Sequence, residues 1–257
     1  MMARFAPLLL ALVLLFQASD SLGSDTLDAS THNAAPPANS NWTGHEAKLV
    51  GLDVYVSGST SASAAVLMVS DVFGWKAPLF RKLADKIAAS GYHVVAPDYF
   101  RGDPLVNVSD LPTWIVKHPP AAEVETTYEL VDALKKEGFH SVGLAGFCWG
   151  AKVAILSSKQ TGRVKVLVQA HPAFATYSDY AEVAVPISIL ASPTDGLAAF
   201  KGLLKERRKE HLKVYLKIFT HVEHGWTIRY NETDKQAVKK ANKAHLLMIK
   251  WFHKYLH

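Results

Sequence analysis

Short apolar segments that alternate with amphipathic ones are the feature that most constrains the fold of this chain. Residues 64–70 read AAVLMVS and residues 187–191 read ISILA, without the polar alternation of a half-exposed strand. A strand buried on both faces gives such an unbroken run, and the segments between the runs repeat apolar residues at helical spacing. The alternation predicts an α/β fold with a doubly wound, mostly parallel sheet and helices on both faces.

The predicted elements follow one another without internal repeats. A loop is expected to run from the third strand to Pro120. The predicted strands are 49–56, 64–70, 93–96, 141–145, 164–170, 187–191 and 214–219, and the predicted helices are 77–90, 123–137, 148–158, 198–210 and 234–254.

Composition fits one globular domain. The 257 residues are 49% hydrophobic and 20% charged, so the chain can bury a large core without a disulfide or metal. The 28 Lys and Arg residues against 23 Asp and Glu give a formal net charge of +5. These cations are dispersed and no basic run is interleaved with aromatic residues, which argues against a nucleic-acid partner.

The N-terminus has the pattern of a secretory signal peptide. Arg4 precedes an apolar run at 8–16, which is too short to span a bilayer comfortably. Residues 21–23 (SLG) fit cleavage before Ser24, and cleavage near Ser19 is an alternative. A membrane anchor is the competing interpretation. No later segment is apolar for long enough to span a membrane, so we expect a secreted chain without stable membrane insertion.

After the predicted signal peptide (1–23) we expect a flexible lead-in at 24–44, rich in Ser, Ala, Asn and Pro, and then a single catalytic domain at 45–257. Three N-x-S/T sequons agree with the secretory interpretation, since only a secreted eukaryotic chain could be glycosylated at them. They begin at Asn41, Asn107 and Asn231.

The candidate chemistry centres on Cys148, the single cysteine of the chain. Residues 146–150 read GFCWG and lie between a predicted strand and a predicted helix, where a nucleophile elbow has the form G-x-nucleophile-x-G. The start of a helix favours a thiolate, and the Trp149 N–H is placed to donate to an oxyanion. The alternative is a structural cysteine in a tight glycine-rich turn.

An acid and a histidine follow in the chain order that an elbow nucleophile requires. Asp195 comes just after the predicted strand 187–191, and His224 lies in the loop after the next strand. A thiol needs a base to take its proton, and the base needs a carboxylate to orient it. His221 competes for the role of base, but Gly225 permits the tight loop that favours His224. No third ligand accompanies the two histidines, so no metal site is predicted.

These residues resemble the dienelactone hydrolases, a cysteine-using branch of the α/β-hydrolase fold. The resemblance rests on GFCWG at 146–150, the Asp195 turn, the HGW sequence at 224–226, SDVFG at 70–74 and APDYF at 96–100. It covers nearly all of the predicted domain. It is closest to secreted plant members, some of which carry the label endo-1,3;1,4-β-D-glucanase.

The resemblance implies further site residues. The Val72 N–H would be the second oxyanion donor, and Asp71 stands where the family has an acidic residue, usually Glu, that contacts the thiol and gates its ionisation. Arg101 and Arg229 lie near the positions of two arginines that hold a substrate carboxylate, each offset by about one residue. Three aromatic residues either line the pocket or belong to the core, namely Trp75, Tyr99 and Trp226.

The resulting expectation is a monomeric hydrolase that cleaves a small ester or lactone through a Cys148 thioester and needs no cofactor. A β-glucan glycosidase is one alternative, and it would need two facing carboxylates, for which Asp98, Asp103 and Glu123 are available but unpaired in sequence. A non-catalytic binding protein that retains the fold is the other. His171, at a strand end, is expected to make only a structural hydrogen bond.

Overall fold

A computed structural model describes residues 42–257 as one eight-stranded sheet flanked by helices. The predicted signal peptide, most of the lead-in and Asn41 lie outside the described residues. The strands are β1 (His45–Leu49), β2 (Leu52–Ser57), β3 (Ala64–Val69), β4 (His93–Pro97), β5 (Ser141–Phe147), β6 (Val166–Ala170), β7 (Ile187–Ala191) and β8 (Val214–Ile218). The helices are α1 (Pro78–Ala88), α2 (Leu111–Lys117), α3 (Val124–Lys136), α4 (Trp149–Ser157), α5 (Tyr177–Glu182), α6 (Lys201–Lys209) and α7 (Lys235–Tyr255).

The sheet confirms the predicted fold class. Its strand order is β1-β2-β4-β3-β5-β6-β7-β8; β1 and β2 pair antiparallel, and β3 to β8 run parallel. The central strands β3 and β5 are buried at every position, because helices cover both faces and build a hydrophobic core on each. This is the architecture of the α/β-hydrolase fold.

The first predicted strand, 49–56, is wrong in one respect, because the chain forms a hairpin there instead. Leu49 pairs with Leu52, and the two residues between them, Val50 and Gly51, have φ angles of 50° and 78°. Positive φ at both central residues is the conformation that a two-residue hairpin favours. A valine in this conformation gives no sequence signal of a turn, which is why one continuous strand was expected.

The last residues of the predicted lead-in make hydrogen bonds to the domain. The Thr43 N–H donates to Asp85 Oδ2 at 3.0 Å, and the Gly44 N–H donates to the hydroxyl of Tyr55 at 3.0 Å. Residues 42–44 therefore pack on the domain.

Two short helices were missed in predicted loops. The seven-residue α2 lies in the loop expected to reach Pro120, where its Trp114 is buried and donates to the Asp103 carbonyl at 2.9 Å. The six-residue α5 is preceded by Thr176, whose side chain forms a capping box with Asp179. Helices of two turns or fewer show too little periodicity to stand out in sequence. Within residues 42–257 no helix is both long and apolar enough to span a membrane.

Candidate active site

The turn between β5 and α4 has the geometry of a nucleophile elbow. Cys148 has φ 51° and ψ −111°, a strained conformation for a residue with a side chain. A Cβ on Gly146 would lie 2.5 Å from the carbonyl oxygen of Gly150, and one on Gly150 would lie 2.2 Å from that of Val69. Both glycines are therefore required by the close approach of backbone. Cys148 itself is fully buried.

Backbone hydrogen bonds fix this elbow to its two neighbouring strands. The Cys148 N–H donates to the Ala170 carbonyl at 3.2 Å, and the Cys148 carbonyl accepts from the Ala173 N–H at 3.2 Å. On the other side, the Gly150 N–H donates to the Ser70 carbonyl at 3.1 Å. The thiol is thus held between the carboxyl ends of β3 and β6.

The structure brings Asp195 and His224 together with Cys148. His224 Nδ1 lies 2.7 Å from Asp195 Oδ1, and both side chains are almost completely buried. The other oxygen of Asp195 accepts the Ser192 N–H at 2.6 Å, which fixes the carboxylate in the turn after β7. Cys148 lies close enough to the imidazole for its charge to raise the pKa of His224. The three residues therefore lie in one buried cluster.

The electrostatics of His224 reflect these two partners. Burial, the largest influence, lowers the pKa of His224, but the charge of Cys148 and the hydrogen bonds to Asp195 and Cys148 outweigh it and raise the pKa to about 10. A raised pKa favours the protonated form of the imidazole, which is compatible with a thiolate–imidazolium pair.

The alternative base, His221, lies outside this cluster. It is exposed, and its carbonyl accepts from Lys240 Nζ at 2.5 Å. Gly225, which follows His224, has φ 91°, and a Cβ there would lie 2.0 Å from an Arg229 nitrogen. The tight loop predicted from the glycine is therefore present, and it places His224 rather than His221 beside the thiol.

The two expected oxyanion donors, the N–H groups of Val72 and Trp149, lie in neighbouring backbone segments. Trp149 is the first residue of α4, so its N–H has no acceptor within the helix. Val72 lies in the turn after β3, where Asp71 accepts the N–H groups of Phe73 at 3.0 Å and Gly74 at 3.1 Å and leaves that of Val72 out of these bonds. The bond between α4 and Ser70 brings these two segments together.

Asp71 and Arg229 form a buried ion pair. Arg229 Nη1 donates to Asp71 Oδ2 at 2.6 Å, and both side chains are at most 3% exposed. The guanidinium also lies over the Phe73 ring at 5.0 Å and donates to the His224 carbonyl at 3.5 Å. Arg229 is thus engaged by protein groups, and the contact between Asp71 and the thiol stays a prediction.

The remaining expected substrate contacts divide into surface and core. Arg101 lies at the surface, where two of its nitrogens donate to Glu123 at 2.8 and 3.1 Å. Tyr99 is a core residue, because it is fully buried and its hydroxyl lies 3.0 Å from Thr127 Oγ1. Trp226 is also buried, but it lines a cavity of about 250 Å³ beside His224. Trp75 packs in the core under the guanidinium of Arg81.

The carboxylates considered for a glycosidase each have a local partner. Asp98 accepts the Gly102 N–H at 2.8 Å, Asp103 lies 2.9 Å from His118 Nε2, and Glu123 binds Arg101. Among residues 42–257 no cluster of three metal-ligating side chains occurs.

His171 is the site residue that sequence reasoning underrated. Its Nε2 does make the expected structural hydrogen bond, 2.9 Å from Thr227 Oγ1. Its ring, however, packs edge-on against that of His224, with centroids 5.1 Å apart. The signal available in sequence was its position, since it follows a strand end just as Asp195 does.

This arrangement is that of an α/β-hydrolase-fold protein with a cysteine at the elbow between β5 and α4. Solved structures share the fold: a dienelactone hydrolase from Anabaena variabilis (TM-score 0.61, 17% identity, 84% of this chain and 100% of that one) and an esterase from Pyrococcus furiosus (TM-score 0.62, 14% identity, 84% and 92%). The profile of the dienelactone hydrolase family matches residues 52–256, and the chain belongs to that family. It is a hydrolase.

Two relatives illustrate how names differ within the family. A carboxymethylenebutenolidase homolog from Xenopus tropicalis is 30% identical over 228 residues, covering 83% of this chain and 91% of the relative. A Zea mays protein named endo-1,3;1,4-beta-D-glucanase is 44% identical over 145 residues, covering 56% of this chain. The match spans only 47% of the maize protein's length.

Proposed function

We propose that the protein hydrolyses small esters or lactones through a thioester on Cys148, with His224 as the base and Asp195 as its orienting partner. The observation that carries this proposal is the buried imidazole of His224, which lies 2.7 Å from Asp195 Oδ1 and whose pKa is raised by Cys148. A nucleophile, a base and an orienting carboxylate in hydrogen-bond contact are what acyl transfer requires.

The first half of the reaction forms the thioester. The Cys148 thiolate attacks the acyl carbon, and the carbonyl electron pair moves onto oxygen, where the N–H groups of Val72 and Trp149 stabilise the oxyanion. The oxyanion then collapses and the bond to the alcohol oxygen breaks. The leaving alkoxide takes the proton of the His224 imidazolium, so the alcohol departs neutral and the imidazole becomes a base.

The second half releases the acid. The neutral imidazole of His224 removes a proton from water, and the hydroxide attacks the thioester carbon. The second oxyanion uses the same two N–H groups, and its collapse breaks the C–S bond. Cys148 leaves as a thiolate beside a protonated His224, which regenerates the starting pair. Asp195 remains ionised and keeps the imidazole oriented throughout.

Substrate preference depends on the two arginines, Arg101 and Arg229. The family resemblance favours esters that carry a free carboxylate, which Arg101 and Arg229 would bind. Arg229 is paired with Asp71 and Arg101 with Glu123, so binding such a substrate would require either guanidinium to exchange a protein carboxylate for the substrate's. Matched ester pairs with and without a free carboxylate, compared by kcat/KM, would measure this preference.

Glucan hydrolysis is the second candidate, favoured by the name of the maize relative. A glycosidic bond has no carbonyl for a thiol to attack, and its cleavage needs an acid beside a second carboxylate. The local partners of Asp98, Asp103 and Glu123 give no support to such a pair.

One experiment separates the two candidates. Pure protein is assayed on an activated aryl ester, a small lactone and mixed-linkage β-glucan, before and after alkylation and as Cys148→Ala. We expect ester and lactone turnover to be lost in both cases and little reducing sugar to be released in any. Ester turnover by Cys148→Ala would refute the thioester mechanism. Glucan hydrolysis that survives alkylation and is lost in Asp98→Asn or Asp103→Asn would establish the glycosidase instead.

We also propose that the protein is secreted. Asn107 and Asn231 are exposed, and Asn231 Oδ1 accepts from the hydroxyl of Thr233 at 2.8 Å within its sequon. N-terminal sequencing of protein from a eukaryotic host should find Ser24 or a nearby residue, and glycosidase treatment should reduce the mass. An uncleaved chain without a mass change would place the protein elsewhere.

A further inference from the structure

The turn after β6 aims a histidine at the base of the proposed triad. His171 has φ 38°, and its N–H donates to the Leu190 carbonyl at 2.8 Å. Ala170, which precedes His171, and Ala173, two residues after it, make the backbone hydrogen bonds to Cys148. A left-handed conformation at a residue with a large side chain is strained, so the direction in which this turn points its ring is imposed by the surrounding structure.

The ring that this turn presents has two neighbours. It packs against His224 at an interplanar angle of 71°, and its Nε2 lies 2.9 Å from Thr227 Oγ1. His171 and Thr227 are both fully buried. The Thr227 carbonyl in turn accepts from His245 Nε2 at 2.8 Å, which ties the loop carrying His224 to α7.

We propose that His171 and Thr227 are a positioning pair that holds the imidazole of His224 in line between Cys148 and Asp195. The proposal rests on the function proposed above. Thr227 lies three residues after His224 in one compact loop, so the bond across to β6 fixes that loop relative to the elbow. His171 contacts only the ring of His224, so both ring nitrogens of His224 stay directed at the thiol and the carboxylate.

The pair can perform this task only if His171 stays neutral. Charged and titratable groups meet His224 from every side: Cys148 from the elbow, Asp195 from the turn after β7, and Arg229 from its own loop. A second imidazolium at 5.1 Å would oppose protonation of His224. Burial, the largest influence, and then the charges of His224 and Arg229 hold the pKa of His171 well below its ordinary value.

If His171 only filled space beside His224, phenylalanine at position 171 should serve as well. His171→Phe keeps an aromatic ring against His224 and removes the bond to Thr227. Thr227→Val keeps the volume of the threonine and removes the same bond from the other end. If the hydrogen bond does the positioning, the two single variants should lose activity to a similar extent. The double variant should then be no less active than the more impaired single variant.

The experiment measures turnover of an activated aryl ester and the pH dependence of Cys148 alkylation by iodoacetamide. We expect each single variant to lower kcat about tenfold with KM changed less than about twofold, which is the effect of one misplaced hydrogen bond on the transition state. The midpoint of the alkylation profile should move up by about half to one pH unit, because a misplaced imidazolium stabilises the thiolate less. His171→Gln, which can still reach Thr227, should recover part of both effects.

The matched control is Tyr180→Phe, which removes another buried hydroxyl bond, the one to Gln169 Oε1 at 3.1 Å. It should leave kcat and the alkylation midpoint unchanged, and thermal unfolding verifies that each variant is folded. Wild-type kcat and midpoint in His171→Phe and Thr227→Val, or losses that multiply in the double variant, would overturn the positioning pair. Ester turnover by Cys148→Ala would instead refute the proposed function, while the alkylation profile would still decide the role of His171.

Discussion

Replacing Asp195 by asparagine should inactivate the enzyme, because it changes which ring nitrogen of His224 carries the proton. Asp195 accepts two N–H groups, His224 Nδ1–H at 2.7 Å and the Ser192 N–H at 2.6 Å. An asparagine has one carbonyl oxygen, and the backbone donor at Ser192 requires it. The amide NH₂ then faces Nδ1, which must become an acceptor, so the ring proton moves to Nε2 on the side of Cys148.

The size of the effect follows from this change of tautomer. An imidazole that carries its proton on the nucleophile side cannot remove one from water, and an equivalent substitution in serine proteases lowers kcat by about 10⁴. For Asp195→Asn we expect a loss of about 10³–10⁴ in kcat, or about 4–5.5 kcal/mol at 1.36 kcal/mol per decade. Loss of the charged hydrogen bond should lower the free energy of unfolding by about 1.5–3 kcal/mol.

Steady-state hydrolysis of an activated aryl ester measures the first quantity and urea unfolding the second. Asp132→Asn is the matched control, because Asp132 pairs with Arg163 at the half-exposed surface and should lose less than about 1 kcal/mol and no activity. Less than a tenfold loss of kcat in Asp195→Asn would show that the carboxylate does not orient the base, and the triad assignment would be refuted.

Three further predictions follow from the same site. His224→Ala should lose several orders of magnitude in kcat and His221→Ala less than about threefold, since exposed residues outside a site rarely contribute; the opposite ranking in an ester assay would reverse the assignment. Cys148→Ala should lower the pKa of His224 from about 10, as followed by NMR, because the charge of Cys148 helps to raise it. The stability contributed by the protonated His224 is fully present below the ordinary histidine pKa and is lost as the pH rises through about 10. The free energy of unfolding should therefore fall between these two pH values, and it should fall more in wild type than in Cys148→Ala. Equal slopes in the two proteins would contradict the interaction between Cys148 and His224. Gly150→Ala should cost about 1–3 kcal/mol in urea unfolding, because its Cβ would lie 2.2 Å from the Val69 carbonyl oxygen, and wild-type stability would contradict this packing.

The parts of the fold and site that could be predicted from sequence are those encoded within a few residues. β7 was predicted with its observed bounds, because ISILA is an unbroken apolar run between polar segments. Cys148 could be singled out because the glycines two residues before and after it are needed to avoid backbone collisions. Asp195 and His224 followed from their places after strand ends, where parallel strands gather side chains at one edge of the sheet.

The remainder depends on contacts that no local pattern records. Asp71 and Arg229 are 158 residues apart, so their pairing could not be deduced from either neighbourhood. The edge-on contact of His171 with His224 likewise depends on how β6 and β8 lie across β7. The hairpin turn at Val50 was missed because tertiary packing imposed a conformation that valine alone does not favour.

The order of strands in the sheet has a consequence for how the protein is made. Cys148, Asp195 and His224 follow β5, β7 and β8, so the proposed nucleophile is synthesised 76 residues before the proposed base. Until β8 docks, the thiol that the finished molecule buries completely lacks its proposed base. We therefore expect nascent or truncated chains to be inactive but open to oxidation or to mixed disulfides, so that resistance of the lone thiol to bulky reagents reports completed folding before any substrate is added.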